Sequence, residues 1–407
     1  MSAKNADGGT PDDSGDAVLI PDDFSIGSLA CVRSLGRQGV RTVVASQEGT
    51  VSMAAASRYC DEEVTVPSPH RNLLAYKNAL LSFVSRAGVK AIIPTREEDA
   101  YVLAKYRPAF ARHVTALWPS FDAVAAAQDG YRLARIAEDA GVPVPETQRF
   151  DEVEDWDRRL IVKPRYAILT PEYVDFFDPT DCDGQNDPLH HPPGPPPDRD
   201  EILEYMLGHV PIVQEYVPIE HEFSFRALYD RGEAVKTSVR RQLRGRSFEG
   251  GVSVYRELVD RPEIERLGER LLDELEWHGL ATVQFIESTD GSLRLMEINP
   301  RVWTSIPLDV RAGADYPYFY WALATGRRDR IEPDHELGYG MHNIYGELQY
   351  LHSILRERES NADRPSLPEG IAEVVSSTIR DPRFDYLVRD DPMPLVRGVQ
   401  YRFFGGG

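Results

Sequence analysis

The run Leu280–Arg301, LATVQFIESTDGSLRLMEINPR, admits few conformations. Ala281 to Ile286 has the apolar, β-branched character of a buried strand, Ser288 to Ser292 (STDGS) that of a hairpin turn, and Leu293 to Ile298 reads as the returning strand. Strand side chains repeat every two residues, so Glu297 and Asn299 share a face, and Gln284 lies near them at one end of the ribbon. A carboxylate and two carboxamides without Cys or His nearby suit a hard cation, Mg²⁺ or Mn²⁺, that keeps some waters and takes further ligands from substrate phosphates. Arg301 adds a planar donor fork for an anion beside that metal. Taken alone, Glu297 and Asn299 also fit a plain strand end and turn before Pro300.

With 407 residues the chain has room for two or three domains. No run is apolar and long enough to span a bilayer, and the opening MSAKNADGGTPDDSGD lacks an apolar signal region, which predicts a soluble, cytoplasmic protein with no membrane partner. Cys31, Cys60 and Cys182 are odd in number and far apart, so neither a disulfide framework nor a Cys zinc site is indicated. The net charge of −20 would repel nucleic-acid phosphates, and no nucleic-acid partner is expected. Lysine occurs only at positions 4, 77, 90, 105, 163 and 236, whereas Asp and Glu total 66. A lysine-poor, acidic surface suits a salt-rich cytoplasm, where screening weakens self-repulsion, and predicts a halophile. Against that background a lysine inside an apolar strand stands out.

Residues 1–16 offer almost nothing to bury and read as a disordered acidic tail. From Ala17 the chain alternates strand and helix: AVLI, SIGSLACVRSLGRQG, VRTVVAS, EEVTVP, a helix near Leu73 to Ala87, VKAIIPT, and a helix from Glu97 to Tyr106. Such alternation implies a doubly wound, Rossmann-like parallel sheet. A dinucleotide-binding oxidoreductase is the competing assignment, but PDDFSIGSLA lacks the GxGxxG turn. Asp122 to Gly141 is a helix-rich link closed by AGVPVPET. LIVK, ending in Lys163, reads as a strand that carries a cation into a cleft; the bland alternative is a lysine at a strand end. Pro188 to Pro197 can form neither helix nor central strand and reads as an exposed, poorly ordered insertion, His190 and His191 included. Arg240, Arg241, Arg244 and Arg246 before Gly250–Gly251 are either a solvated face or an anion clamp. The aromatic run YPYFYWALATG reads as core, and residues 330 to 407 as a helix near Ile344 to Arg358, a Pro/Asp-rich middle and an extended VQYRFF ending.

VQF, a hairpin and MEINPR together resemble the metal-binding hairpin of the ATP-grasp superfamily, as in carbamoyl-phosphate synthetase large subunit and biotin carboxylase. The resemblance implies that Gln284, Glu297 and Asn299 hold magnesium between ATP phosphates and that Arg301 contacts an acyl-phosphate or the carboxylate being activated. It makes Lys163 a nucleotide-phosphate lysine, Glu215 and Val217 the backbone contacts to adenine, and Glu222 the ribose acceptor. The family's first phosphate cation would fall at Gly130, with Arg132 as its nearby substitute. A glycine-rich flap has no counterpart in RYAILTPEYVDFF, and Ile219 replaces a glycine after the hinge. SLGRQGVRTVVAS and AIIPTREED resemble the domain that precedes the module in carboxylate-amine ligases, which places Thr95 and Glu97 where a substrate could meet the site. Arg241, Gly250 and Gly251 are further substrate candidates.

The resulting expectation is an α/β and α+β protein with an N-terminal Rossmann-like pre-ATP-grasp domain (17–118), a linker helix and small lobe with the Pro-rich insertion (119–210), a large lobe with hinge and metal hairpin (211–327), and a C-terminal extension (328–407). Its expected chemistry is ATP-dependent ligation of a small-molecule carboxylate to an amine through an acyl-phosphate, with a homodimer possible. An inactive ATP-binding regulatory module is the alternative.

Overall fold

The computed structural model describes residues 15–86, 88–248, 250–356 and 364–404. Strands rich in Val and Ala, buried on both faces, require helices on either side. The first sheet has this form, with β1 (Ala17–Asp22), α1 (Ile26–Arg37), β2 (Arg41–Gln47), β3 (Glu62–Val66), α2 (Leu73–Val84), β4 (Val89–Ile92), α3 (Glu97–Lys105) and α4 (Arg107–Phe110). Strand order is β3-β2-β1-β4, with every pairing parallel. The tail expected over residues 1–16 lies outside the described residues except for Gly15 and Asp16.

Two linker helices, α5 (Phe121–Gln128) and α6 (Gly130–Asp139), lead to an antiparallel sheet of β5 (Thr147–Arg149), β6 (Leu160–Lys163), β7 (Leu189–His191) and β8 (Ile212–Glu215), ordered β5-β8-β6-β7. Helix α7 (Arg199–Tyr205) places Ile202 in a core with Trp156, Leu160, Val162 and Val213. The Pro-rich run departs from the expected unordered insertion, because Leu189 to His191 form an edge strand on β6. An edge is where flanking prolines are tolerated, since one side needs no donors. His191 packs edge-on against Trp156 with ring centres 5.0 Å apart.

The third sheet carries β9 (Ile219–Asp230), β10 (Glu233–Ser247), β11 (Gly250–Val259), β12 (Gly279–Ser288), β13 (Leu293–Asn299) and β14 (Gly340–His342), ordered β13-β12-β9-β10-β11-β14. One face packs Phe223, Phe225, Val239, Val283 and Phe285 on α8 (Pro262–Glu274). The aromatic run becomes α10 (Tyr316–Ala324), after α9 (Ile306–Arg311), and is core. Its Tyr320 hydroxyl donates to the Ile92 carbonyl at 2.9 Å and its Tyr316 hydroxyl to that of Arg226 at 3.1 Å, so the helix joins the first sheet to the third.

The C-terminal region differs from its sequence reading. Besides α11 (Ile344–Arg356) it forms α12 (Leu367–Arg380) and α13 (Met393–Phe404). A capping box, Ser366 with Glu369, starts α12, a signal that the Pro/Asp-rich surroundings obscured. VQYRFF is helical rather than extended, because Leu395 and Val399, four apart, both pack on the first core. Buried Asp391 accepts from the Arg33 Nε at 2.8 Å and the Ser57 hydroxyl at 2.7 Å, which fastens this end to the first domain. No helix among the described residues is long and apolar enough to cross a membrane.

Candidate active site

The ribbon β12–β13 turns at Ser288–Ser292, where the Ser288 N–H donates to the Ser292 carbonyl at 2.9 Å and Gly291 adopts φ +80°. Gln284 pairs directly with Glu297, and Thr282 with Asn299. Between Gln284 and Phe285 the register shifts by one residue, a bulge at Met296. Because of it Leu295 and Ile298, three apart, both reach the core, while Glu297 and Asn299 turn to the opposite face. These residues lie from mid-ribbon towards its open end, away from the turn.

The same face extends across the sheet. Arg240 pairs with Ser224 and Ser224 with Gln284, while Ser238 pairs with Arg226 and Arg226 with Thr282. Two polar rows therefore run from β10 to β13. Alternation accounts for them, since the intervening residues fill the core. Arg226 is fully buried and pairs with Asp309, which also accepts from the Trp303 Nε1 at 2.8 Å and the Ser238 hydroxyl at 2.9 Å.

A continuous chain of hydrogen bonds links the ribbon to the first domain. Gln284 Nε2 and Asn299 Nδ2 each donate to Glu297 Oε1 at 2.8 Å. Arg301 Nη2 donates to Asn299 Oδ1 at 2.8 Å and Arg301 Nε to Glu97 Oε1 at 2.9 Å. Gln128 Nε2 donates to Glu97 Oε2 at 3.0 Å, and the Tyr173 hydroxyl to Gln128 Oε1 at 2.8 Å. Burial holds the Glu97 carboxyl above its ordinary value, with Arg301 and Gln128 opposing and Glu297 adding to the rise. Thr95, by contrast, is buried and engaged by Pro21 and Asp99, which makes it structural.

Facing the ribbon, a cavity of about 240 Å³ is lined by Lys163, Arg165, Tyr166, Gln214, Met296 and Glu297 among others. Burial lowers the Lys163 ammonium, and Glu297 pulls it back up. Two cations and a carboxylate thus meet across the gap between the second and third sheets. Gly130 adjoins the same cavity and donates its N–H to the Arg165 carbonyl at 2.7 Å. A Cβ there would come within 3.0 Å of the Ile212 side-chain end and 3.3 Å of that carbonyl, so a side chain at this position would need its neighbours to give by a few tenths of an ångström. Arg132 does not take its place: it pairs with Asp122 at 2.9 Å on the surface. Arg165 occupies the cavity instead, held by both oxygens of Asp129 at 2.9 and 2.7 Å.

Glu215 ends β8, and the chain crosses through Val217 to β9 in the other sheet, so both lie at the connection between lobes. The Glu215 carboxylate accepts from the Glu146 N–H at 3.1 Å. Glu222 lies on the polar face near the β10–β11 turn, where a Cβ on Gly250 would stand 3.5 Å from its Oε1. Burial raises the Glu222 carboxyl, Arg240 opposes and Glu297 adds. Gly250 and Gly251 have φ of +120° and +84°. Among the arginines, Arg241 points to the other face and pairs with Glu257 at 2.5 Å, a correction to its place among substrate candidates. Arg244 is buried against Glu347 and Glu373 and anchors α11 and α12. Arg240 is on the site face, donating to the Ser224 hydroxyl at 2.7 Å. Burial pulls it down to about 9, which leaves it charged at neutral pH.

Sequence reasoning missed Arg165, Gln128 and Tyr173. Arg165 stands two residues beyond Lys163, the spacing of one strand face, and could have been found; the other two reach the site only through the fold.

Residues 209–346 match a family model described as ATP-grasp in the biosynthetic pathway with Ter operon. No curated protein sequence matches the chain. Among solved structures, an N5-carboxyaminoimidazole ribonucleotide synthetase in complex with ADP superposes with TM-score 0.61 at 15% identity, covering 91% of this chain and 98% of its own. The biotin carboxylase domain dimer of 2-oxoglutarate carboxylase from Hydrogenobacter thermophilus, bound to MgADP, ADP and bicarbonate, gives 0.58 at 17%, covering 80% and 73%. An L-amino acid ligase from Bacillus licheniformis gives 0.56 at 13%, covering 78% and 77%. At such identities the likeness is one of fold, and the match to the ATP-grasp family model is carried by residues 209–346.

Proposed function

We propose that the protein is an ATP-dependent ligase that activates a small-molecule carboxylate as an acyl-phosphate and joins it to an amine, releasing ADP and phosphate. The observation that carries this reading is the cluster Gln284, Glu297, Asn299 and Arg301 opposite Lys163 and Arg165 across one cleft. Relatives of this fold are described as synthetases, carboxylases and an amino acid ligase, and two were solved with ADP.

In this reading Lys163 and Arg165 neutralise nucleotide phosphates, Glu215 and Val217 offer backbone groups to adenine, and Glu222 accepts from ribose hydroxyls. The donor set fits a hard cation: Gln284 and Asn299 already converge on Glu297, and turning the Gln284 amide would present its oxygen beside that carboxylate. Mg²⁺ or Mn²⁺ held there would supply charge neutralisation between phosphates. Arg301, fixed by Glu97 and Asn299, presents its fork to the acyl-phosphate. Gly250–Gly251 lets backbone approach the nucleotide side of the cleft, and Glu97 borders the substrate. The protein positions and neutralises and needs no covalent step of its own. The acidic, lysine-poor composition goes with a salt-rich cytoplasm, so the assay belongs at high salt.

An ADP-release screen of pooled carboxylates and amines tests the reading. Release that requires an acid and an amine together supports it. One observation favours a second reading, an ATP-binding regulatory module: Gly130 stands where the family places a phosphate cation, and Arg132 is paired with Asp122 instead. Mg-ATP binding without ADP release from any pool would select that module.

A further inference from the structure

Segment 164–188, which stands where a glycine-rich flap was expected, is docked on the first domain. Its Thr180 carbonyl accepts from the Leu73 N–H at 2.8 Å, and Ile168 and Cys182 enter that domain's core. At this junction three ligand-type side chains from separate parts of the chain come together: His70 before α2, Glu98 in the first turn of α3, and Cys182. One ligand atom from each lies within 4.8 Å of the others, and His70 Nε2 is 3.0 Å from Glu98 Oε1. Glu98 and Cys182 are buried, while the His70 side chain is 41% exposed, which leaves a path from solvent.

We propose that His70, Glu98 and Cys182 form a zinc site that fastens segment 164–188 to the first domain. Sulfur, imidazole nitrogen and carboxylate oxygen together favour a borderline-soft cation over Mg²⁺, and three protein ligands leave a fourth position for water. Zinc bonds of about 2.0–2.3 Å set tetrahedral ligands roughly 3.3–3.6 Å apart, so the widest gap has to close by about 1 Å. A His70–Glu98 ion pair accounts for two members of the group and apolar packing for the burial of the third, whereas a metal accounts for all three ligand atoms meeting at one point. Binding releases the thiol proton to solvent, and the cation reverses the effect of burial, which otherwise holds the Cys182 thiol high. The spacing of three scattered cysteines hid this arrangement, because only one of them takes part.

The site adjoins the cleft, since Glu98 neighbours Glu97 and the segment's Tyr173 bonds Gln128. It is nonetheless independent of the ligase reading, and its test reads metal rather than turnover. The full chain, purified at high salt without chelator, should carry about one zinc ion per chain by elemental analysis. After chelation, Co²⁺ should restore a near-ultraviolet thiolate-to-cobalt charge-transfer band that Zn²⁺ abolishes. Cys182→Ser should lose the band and the retained zinc, whereas Glu297→Gln should keep both. Zinc retained equally by Cys182→Ser, or no charge-transfer band from the wild-type chain, would overturn the proposal. If Cys182→Ser does not fold, the wild-type cobalt spectrum decides by itself.

Discussion

Arg301 donates to Glu97 at 2.9 Å, a contact between side chains 204 positions apart in the chain. It joins the end of the β12–β13 ribbon to the first turn of α3, so that two domains hold one guanidinium fork. If that contact orients Arg301 for catalysis, the two residues act as a unit. Glu97→Gln and Arg301→Lys should each lower kcat/KM for ADP release, by on the order of 10–100-fold, and the double variant should be little worse than the poorer single one. Losses that simply multiply would show that the pair does not work together.

Glu297 is exposed and makes no contribution to the core, so its removal separates function from folding. Glu297→Gln should unfold at the same temperature as wild type. Its ADP release should fall by on the order of 10²-fold or more, with half-saturation moved to higher Mg²⁺. Undiminished turnover in this variant would remove the metal role from the ribbon.

Beneath the same face, Arg226 and Asp309 are a fully buried ion pair. Asp309→Ala would leave a guanidinium in the core without a counter-charge, a loss of about 3–5 kcal/mol by chemical denaturation. A loss under about 1 kcal/mol would mean that Ser305 and water satisfy Arg226 unaided.

Burial raises Asp22 and Asp315 from 3.8 to about 6. Between those values the unfolded chain has released a proton that the folded chain still holds, so stability contributed by these groups falls as pH rises from about 4 to about 6. The gap corresponds to about 3 kcal/mol per group. Asp22→Asn should therefore gain stability relative to wild type as pH rises through this window and hold a constant difference above it. Denaturant titrations at fixed salt across that range measure the difference, and one independent of pH would contradict the assignment.

Local chemistry alone determined a good deal here. Period-two alternation and the STDGS turn specify the ribbon and put Glu297 and Asn299 on one face, and strand–helix alternation specifies the parallel sheet. Those signals are local, and sequence periodicity carries them. Sequence left Gly130 looking like a missing cation, and only the fold shows that Ile212 and the Arg165 carbonyl crowd this position while the Arg165 side chain lines the same cavity. Which arginine meets the site, Arg240 rather than Arg241, was decided by strand register across β9 and β10, a relation between distant segments. The helical ending and the meeting of His70, Glu98 and Cys182 likewise depend on what packs beside them, since amphipathic spacing needs a partner surface and ligand convergence needs three loops folded together.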